Sequence, residues 1–428
     1  MPLFFIHGVN VRKEDADYEK EAKQRGKLFR DVVLKPLVTF GSRFEKMVVH
    51  DIYWGDLGVS FGWKLASVPK VKTLQSFGPD ELAAPSDLLL AETLESIAAS
   101  GAGQADDGVS EPSGSPLKRA AAQDPLRFAE ALLLPVLVSD FELIEESSAE
   151  EGELEALLSR STADAASDPA VQADMKAAGT DDELIETLTI AIEKRFRTLA
   201  KEPAESVGSK VESYGSERAD ELRPRIRELF GRALHLPSRA VSLSALQVFR
   251  SGFHRKFSRF LGDVFVYLQR RGDPTHPGPI AERVISELKA TPGQHPDEPK
   301  IVVTHSMGGN ILYDILTSFS PDLFIDVWIS VGGQVAQFEE MKLFLASDKN
   351  IVAPARVDGI KQRVGYWLNV YDPADSFSFM ASPVFTGVDA DLPFSTGTSA
   401  LKSHTEYFGL ASFHQLLREH ILKGLKLG

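Results

Sequence analysis

At both ends of the chain, short apolar runs rich in Val, Ile, Trp and Tyr alternate with stretches of helical spacing. "PLFFI" (2–6), "KMVVHDIYW" (46–54), "KIVVT" (300–304), "IDVWISV" (325–331) and "GYWLNVY" (365–371) have the length of strands and lack polar alternation. Runs of that kind suit strands covered on both faces. Between them "AERVISELKA" (281–290) and "GNILYDILTSF" (309–319) repeat apolar residues at helical intervals, and a charged, helix-like stretch occupies about 14–38. Strands alternating with helices predict an α/β fold, a mainly parallel sheet flanked by helices. Five strands are expected, near 2–6, 46–53, 300–304, 325–331 and 364–371.

The middle of the chain breaks this rhythm. "DDELIETLTIAIEKRFRTLAKE" (181–202) predicts an amphipathic helix, with Asp in its first turn and Lys and Arg toward its end. "FAEALLLPVLV" (128–138) is apolar, "EESSAEEGELE" (145–155) acidic, and "SERADELRPRIRELFGRAL" (216–234) helical around Pro224. "ASGAGQADDGVSEPSGSPLKRAAAQ" (99–123) is small, polar and rich in Gly, Ser and Pro, so a flexible stretch is expected there. The division that follows is a core of 1–56 with 261–428, split by a mostly helical insertion over 57–260. An amphipathic helix must bury one face. The natural place left is over the strand ends, so the insertion is expected to cap the sheet edge and wall an apolar pocket, with mobility that would make it a lid.

Composition narrows the function. Lys plus Arg is 47 against 61 Asp plus Glu, a formal charge of −14, which argues against binding a nucleic-acid backbone. With no cysteine, zinc–thiolate sites, disulfides and thiol catalysis are all excluded. No His/Asp/Glu cluster has metal-ligand spacing, and no cofactor is expected. "MPLFFIHGVN" lacks the basic opening of a signal peptide, and no run approaches the roughly 20 apolar residues of a membrane span. The expectation is a cytoplasmic protein.

The strand at 300–304 runs into "HSMGGN" (305–310), where a helix starts. Ser306 is either a helix N-cap or a nucleophile on a sharp strand-to-helix turn, with the helix N-terminus available to an oxyanion. Gly308 supplies the small residue such a turn needs after the serine; Thr304 stands where a glycine is usual. Three other strand ends bear on the choice. "FFIHGVN" (4–10) places the amide of Val9 after a glycine turn, which is either an ordinary strand-end turn or one that lets this amide meet that of Met307 across a carbonyl oxygen. "NVYDPADSFSF" (369–379) offers Asp372 and Asp375, either of which suits a carboxylate that orients a histidine. "LKSHTEYF" (401–408) carries His404. The other histidines after Ser306, His414 and His420, fall inside a helical pattern, so loop placement favours His404 as general base.

The order Ser306, aspartate, His404 after a His-Gly turn is that of the α/β-hydrolases. "FFIHGV", "HDIYWGDL", "LGDVFVYL", "VVTHSMGGNILYD", "WISVGGQVAQF", "WLNVYDPADSFSF" and "KSHTEYF" together resemble bacterial lipase- and esterase-like members of that superfamily, phospholipase-like ones included. The resemblance covers 1–56 and 261–428 and stops at the insertion. It implies an α/β-hydrolase fold and a serine hydrolase acting on carboxylic esters, with lipid-like acyl chains. It also implies Ser306 as nucleophile, His404 as base, Asp375 as acid and Val9 with Met307 as oxyanion donors. His305 is expected to pack or hydrogen-bond locally, and "GGQ" (332–334) to shape the site. The basic, aromatic "FHRKFSRF" (253–260) suggests transient contact with a membrane surface. The rival expectation is a non-catalytic protein of the same fold whose helical insertion contacts a partner.

Overall fold

The computed structural model describes residues 2–41, 44–66, 115–141, 149–200, 257–289, 298–397 and 403–427. Six strands form one sheet: β1 (Pro2–Ile6), β2 (Val48–Ile52), β3 (Ile301–His305), β4 (Ile325–Val331), β5 (Val364–Tyr371) and β6 (Ala390–Pro393). Their order is β2-β1-β3-β4-β5-β6, and each neighbouring pair is parallel. The five expected strands are present. The sixth, "ADLP", was not expected; it is a short edge strand ending in proline, with no apolar run to announce it.

The sheet is buried on both faces, as its sequence runs require. Along β1, Leu3 and Phe5 enter one apolar cluster with Phe29, Phe413 and Leu417, while Phe4 and Ile6 enter the other with Ile311, Trp328 and Trp367. Trp328 and Trp367, on neighbouring strands, stack with ring centroids 4.4 Å apart. The charged stretch near the N-terminus becomes helix α1 (Tyr18–Leu28), continued by a wider turn over Phe29–Leu34.

The insertion's described part is helical: α2 (Pro116–Gln123), α3 (Pro125–Phe141), α4 (Ala149–Ala166), α5 (Pro169–Ala177) and α6 (Asp181–Leu199). The flexible stretch expected over 99–123 is corrected at its end. Ser115 caps α2 by accepting from the Lys118 amide, Pro116 starts it, and three alanines sustain it. The rest of that stretch, and the helix expected over 216–234, lie outside the described residues. In α6, Thr180 accepts from the Glu183 amide, acids fill the first turn, and Leu184, Leu188, Ile192 and Phe196 are buried. These helices share an apolar cluster of their own.

That helical unit docks on the flank of the core. Gly152 of α4 lies against the Lys20 backbone of α1, where any Cβ would collide with a carbonyl oxygen. Ser159 accepts from the Ala411 amide, and Glu130 accepts from the amide and hydroxyl of Ser412. Among the described residues, no hydrogen bond or ring contact joins 116–199 to Ser306, Asp375 or His404. Toward the strand ends, α3 reaches the segment just after β6: the Arg127 guanidinium lies over the Phe394 ring, and a Cβ on Gly397 would lie 3.2 Å from Ala131. A helix over 257–270 also reaches the strand ends, through Phe260 on Phe377 and Asp263 on the Asn10 amide, and the boundary placed at 260/261 falls inside it. No helix among the described residues is long and apolar enough to cross a membrane.

Candidate active site

Four segments converge at the C-terminal ends of the central strands, the edge where open parallel sheets bind ligands. Ser306 joins β3 to helix α7 (Met307–Asp314) with φ 52° and ψ −126°. A positive φ is costly for a residue with a side chain and persists only where its surroundings enforce it. Here the Ser306 amide donates to Val331 O at 2.9 Å, and two glycines allow close contact. A Cβ on Gly8 would lie 2.6 Å from the Ser306 Cβ, and one on Gly308 would lie 2.5 Å from Ile6 O. Ser306 makes no side-chain cap to its helix, so its hydroxyl is left for other partners. Thr304, where a glycine is usual, faces the sheet: its hydroxyl accepts from Trp328 Nε1 at 3.0 Å.

Ser306 Oγ lies 2.9 Å from His404 Nε2, and His404 Nδ1 lies 2.8 Å from Asp375 Oδ2. A carboxylate only accepts, so Nδ1 carries the proton and Nε2 accepts from the serine hydroxyl. The Asp375 side chain is fully buried and that of His404 is 13% exposed. Asp375 Oδ1 accepts from the Phe377 amide at 2.8 Å, and Oδ2 also accepts from the Tyr407 hydroxyl at 3.3 Å. Asp372 plays another part. Its Oδ1 accepts from the Ala374 amide, and its Oδ2 from the amide and hydroxyl of Thr396, so it shapes the loop and does not touch the imidazole. His414 is buried 0% exposed under α1 and the following turn, against Phe29 and Phe408, and His420 meets the Tyr366 hydroxyl.

Sequence reasoning missed Tyr407. Its hydroxyl accepts from the Asp372 amide at 2.8 Å and donates to Asp375, linking the two aspartates. Burial, then the Asp375 charge, pushes the phenol up, so it stays a donor. The only signal was a tyrosine three residues after His404. Gln334, from the singled-out "GGQ", donates from Nε2 to Gly332 O at 2.8 Å and Phe377 O at 2.6 Å. Both its protons are thereby used, and its 3.4 Å contact with Ser306 Oγ is incidental to them. His305 does bond locally: Nε2 donates to the carbonyl of His404 at 2.7 Å. Burial first, and the neighbouring His404 second, push its pKa down to about 3, so the ring stays neutral.

Val9 and Met307 flank the serine. Met307 is the first residue of α7, so its amide is not spent within the helix. Gly8 packs against Ser306, so Val9, the next residue, leaves the same turn. His7 sets the intervening peptide. The Trp54 amide donates to its Nε2 at 3.0 Å, so Nδ1 holds the proton and donates to Gly8 O at 2.6 Å. Burial pushes the His7 pKa down to about 3 and keeps this tautomer neutral. Beside the imidazole, Phe377 meets His404 edge-on at 5.5 Å, and Phe260 of the 257–270 helix packs on Phe377 at 4.7 Å. Among the described residues, no group of three or more His, Asp or Glu is placed to hold a metal ion.

A scan of protein-family models matches none to this chain, and neither the curated proteins nor the solved structures contain a match.

Proposed function

We propose that this protein is a serine hydrolase of the α/β-hydrolase type that cleaves carboxylic esters. One observation carries the reading: a strained serine at a strand-to-helix turn, hydrogen-bonded to an imidazole whose far nitrogen meets a buried carboxylate. Ser306 attacks the ester carbonyl while His404 takes its proton, and Asp375 stabilises the resulting imidazolium. The amides of Val9 and Met307 donate hydrogen bonds to the negative charge that develops on the carbonyl oxygen. The imidazolium then protonates the leaving alcohol, and an acyl-enzyme remains on Ser306. His404 next activates a water that releases the acid. The arrangement asks for no cofactor. The aromatic pair Phe260–Phe377 beside His404 supports an apolar, lipid-like acyl or alcohol group.

The test is labelling by a fluorophosphonate and hydrolysis of an acyl-ester series. Wild type should be labelled, Ser306→Ala should not, and rates should rise from acetyl to longer chains. An unlabelled wild type would leave a non-catalytic binding protein of this fold, and a preference for acetyl esters would remove the lipid-like substrate.

A further inference from the structure

We infer that Asp263 is a positioning residue for the oxyanion donor Val9, and that it ties both roots of the insertion to that donor. The inference rests on the serine hydrolase reading above. Asp263 is 0% exposed, on the 257–270 helix, the first described element after the insertion. Four N–H groups converge on its carboxylate. Oδ2 accepts from the Asn10 amide at 2.8 Å and from Arg12 at 3.1 Å; Oδ1 accepts from Arg12 at 2.6 Å and from the Val59 amide at 2.7 Å. Val59 belongs to the segment where the chain leaves the core for the insertion, and Arg12 also donates to Val59 O at 3.2 Å. The three segments are fitted closely. A Cβ on Gly58 would collide with the Asp263 carboxylate, and one on Gly262 with the Val59 side chain.

The bland reading of such a pair is loop anchorage, but its position relative to Val9 says more. Peptide groups are planar, so the direction of the Val9 N–H is set by the plane it shares with Gly8 O. His7 holds that oxygen at 2.6 Å. The next plane, between Val9 and Asn10, is held by Asp263 through the Asn10 amide. Asn10 itself sits at φ 65°, where the chain turns away. With both flanking planes fixed, Val9 retains no torsional freedom, and its amide is aimed before substrate arrives. A donor aimed in advance costs no reorganisation during reaction. A loosened one must be ordered in each turnover.

The experiment compares Asp263→Asn and the double variant Arg12→Gln/Asp263→Asn with wild type. The double variant leaves no unpaired buried charge and so protects against simple unfolding. Arg259→Ala is the control. It removes an ion pair to Asp15, 2.8 Å, that joins the same two segments without touching the Val9 peptides. Kinetics on the best ester of the acyl series are read with the affinity for an aryl trifluoromethyl ketone, whose adduct on Ser306 places an oxyanion at the donors. Both Asp263 variants should lose about 10- to 100-fold in kcat, short of the loss expected when a whole donor is removed. KM should stay near wild type, and ketone affinity should fall by a factor close to that in kcat. Arg259→Ala should change none of these. Wild-type kcat and ketone affinity in a folded double variant would overturn the inference while leaving the hydrolase reading intact. So would a loss confined to KM, or an equal loss in Arg259→Ala. A wild type that neither reacts with fluorophosphonate nor hydrolyses an ester would overturn both.

Discussion

Asp372 and Asp375 share one loop, and both are buried, yet they are expected to fail differently when neutralised. Asp375 accepts from the imidazole Nδ1–H. Asparagine there would present an amide that favours the wrong tautomer, and kcat should fall by about 10⁴ with little change in folding. Asp372 accepts three backbone or hydroxyl donors. Asparagine there should cost stability, about 1–3 kcal/mol, and activity only through the displaced loop. Denaturation midpoints and kcat measured on both variants separate the roles; equal kcat losses would remove the distinction. Gly8 gives a second residue-scale test. Gly8→Ala would push a methyl into the Ser306 Cβ, so kcat should drop more than 100-fold on the scale of losing an oxyanion donor. Of these residues, the serine and the two aspartates were legible because each follows an apolar run. The histidine was legible because the other two after Ser306 fall inside a helical pattern, although it sits in a short helix, Ser403–Glu406, and not in the expected loop. Tyr407 and Asp263 were not. Their partners are backbone amides and side chains brought close only by the fold, and nothing local in "EYF" or "GDV" marks them.

At the scale of elements, the C-terminal helix α8 (Ala411–Gly424) stores a pH dependence. His414 donates from Nδ1 to Leu410 O at 2.9 Å, and its Nε2 is buried without a partner. Burial pushes its pKa down to about 4 from 6.5. The unfolded chain therefore binds a proton that the folded one refuses, and stability falls as pH drops from about 6.5 toward 4. Between pH 7.5 and 5 this one ring should cost about 2 kcal/mol. His414→Leu should remove that loss, giving a shallower slope of Tm against pH than wild type. Comparing the two proteins cancels other titrating groups, and parallel slopes would refute the assignment. The strands were readable from composition because burial on both faces demands uninterrupted apolar runs. β6 escaped because four half-exposed edge residues carry no such demand. The helix at 116–123 escaped because a Pro-rich preamble looks the same whether or not a cap follows it. The cap over Ser306 was expected from the need of amphipathic helices for cover; α2–α6 bury apolar surface in their own cluster and on the core's flank, and α3 also meets Phe394 and Gly397 beyond β6.

For the whole molecule, that docking bears on how it unfolds. Leu28 and Val32 of the core share a buried cluster with Ala156 and Ala163 of α4 and with Ala411, and Lys20 pairs with Glu155 at 2.6 Å within the same seam. Calorimetry should therefore show the core and the 116–199 unit melting together. Gly152→Val, which drives a side chain into the Lys20 backbone, should lower Tm and split the trace in two; an already divided wild-type trace would mean that the seam contributes little.

The register of β1 also reaches beyond the finished fold. Leu3 pairs with Ile301, so β1 waits for one of its two neighbours until the chain has been made as far as β3. Until then an apolar segment has only β2 on its other side. Synthesis order thus imposes a delay during which an unpaired edge is open to other nascent chains. Cells making this protein quickly should feel that delay as a demand on chaperones.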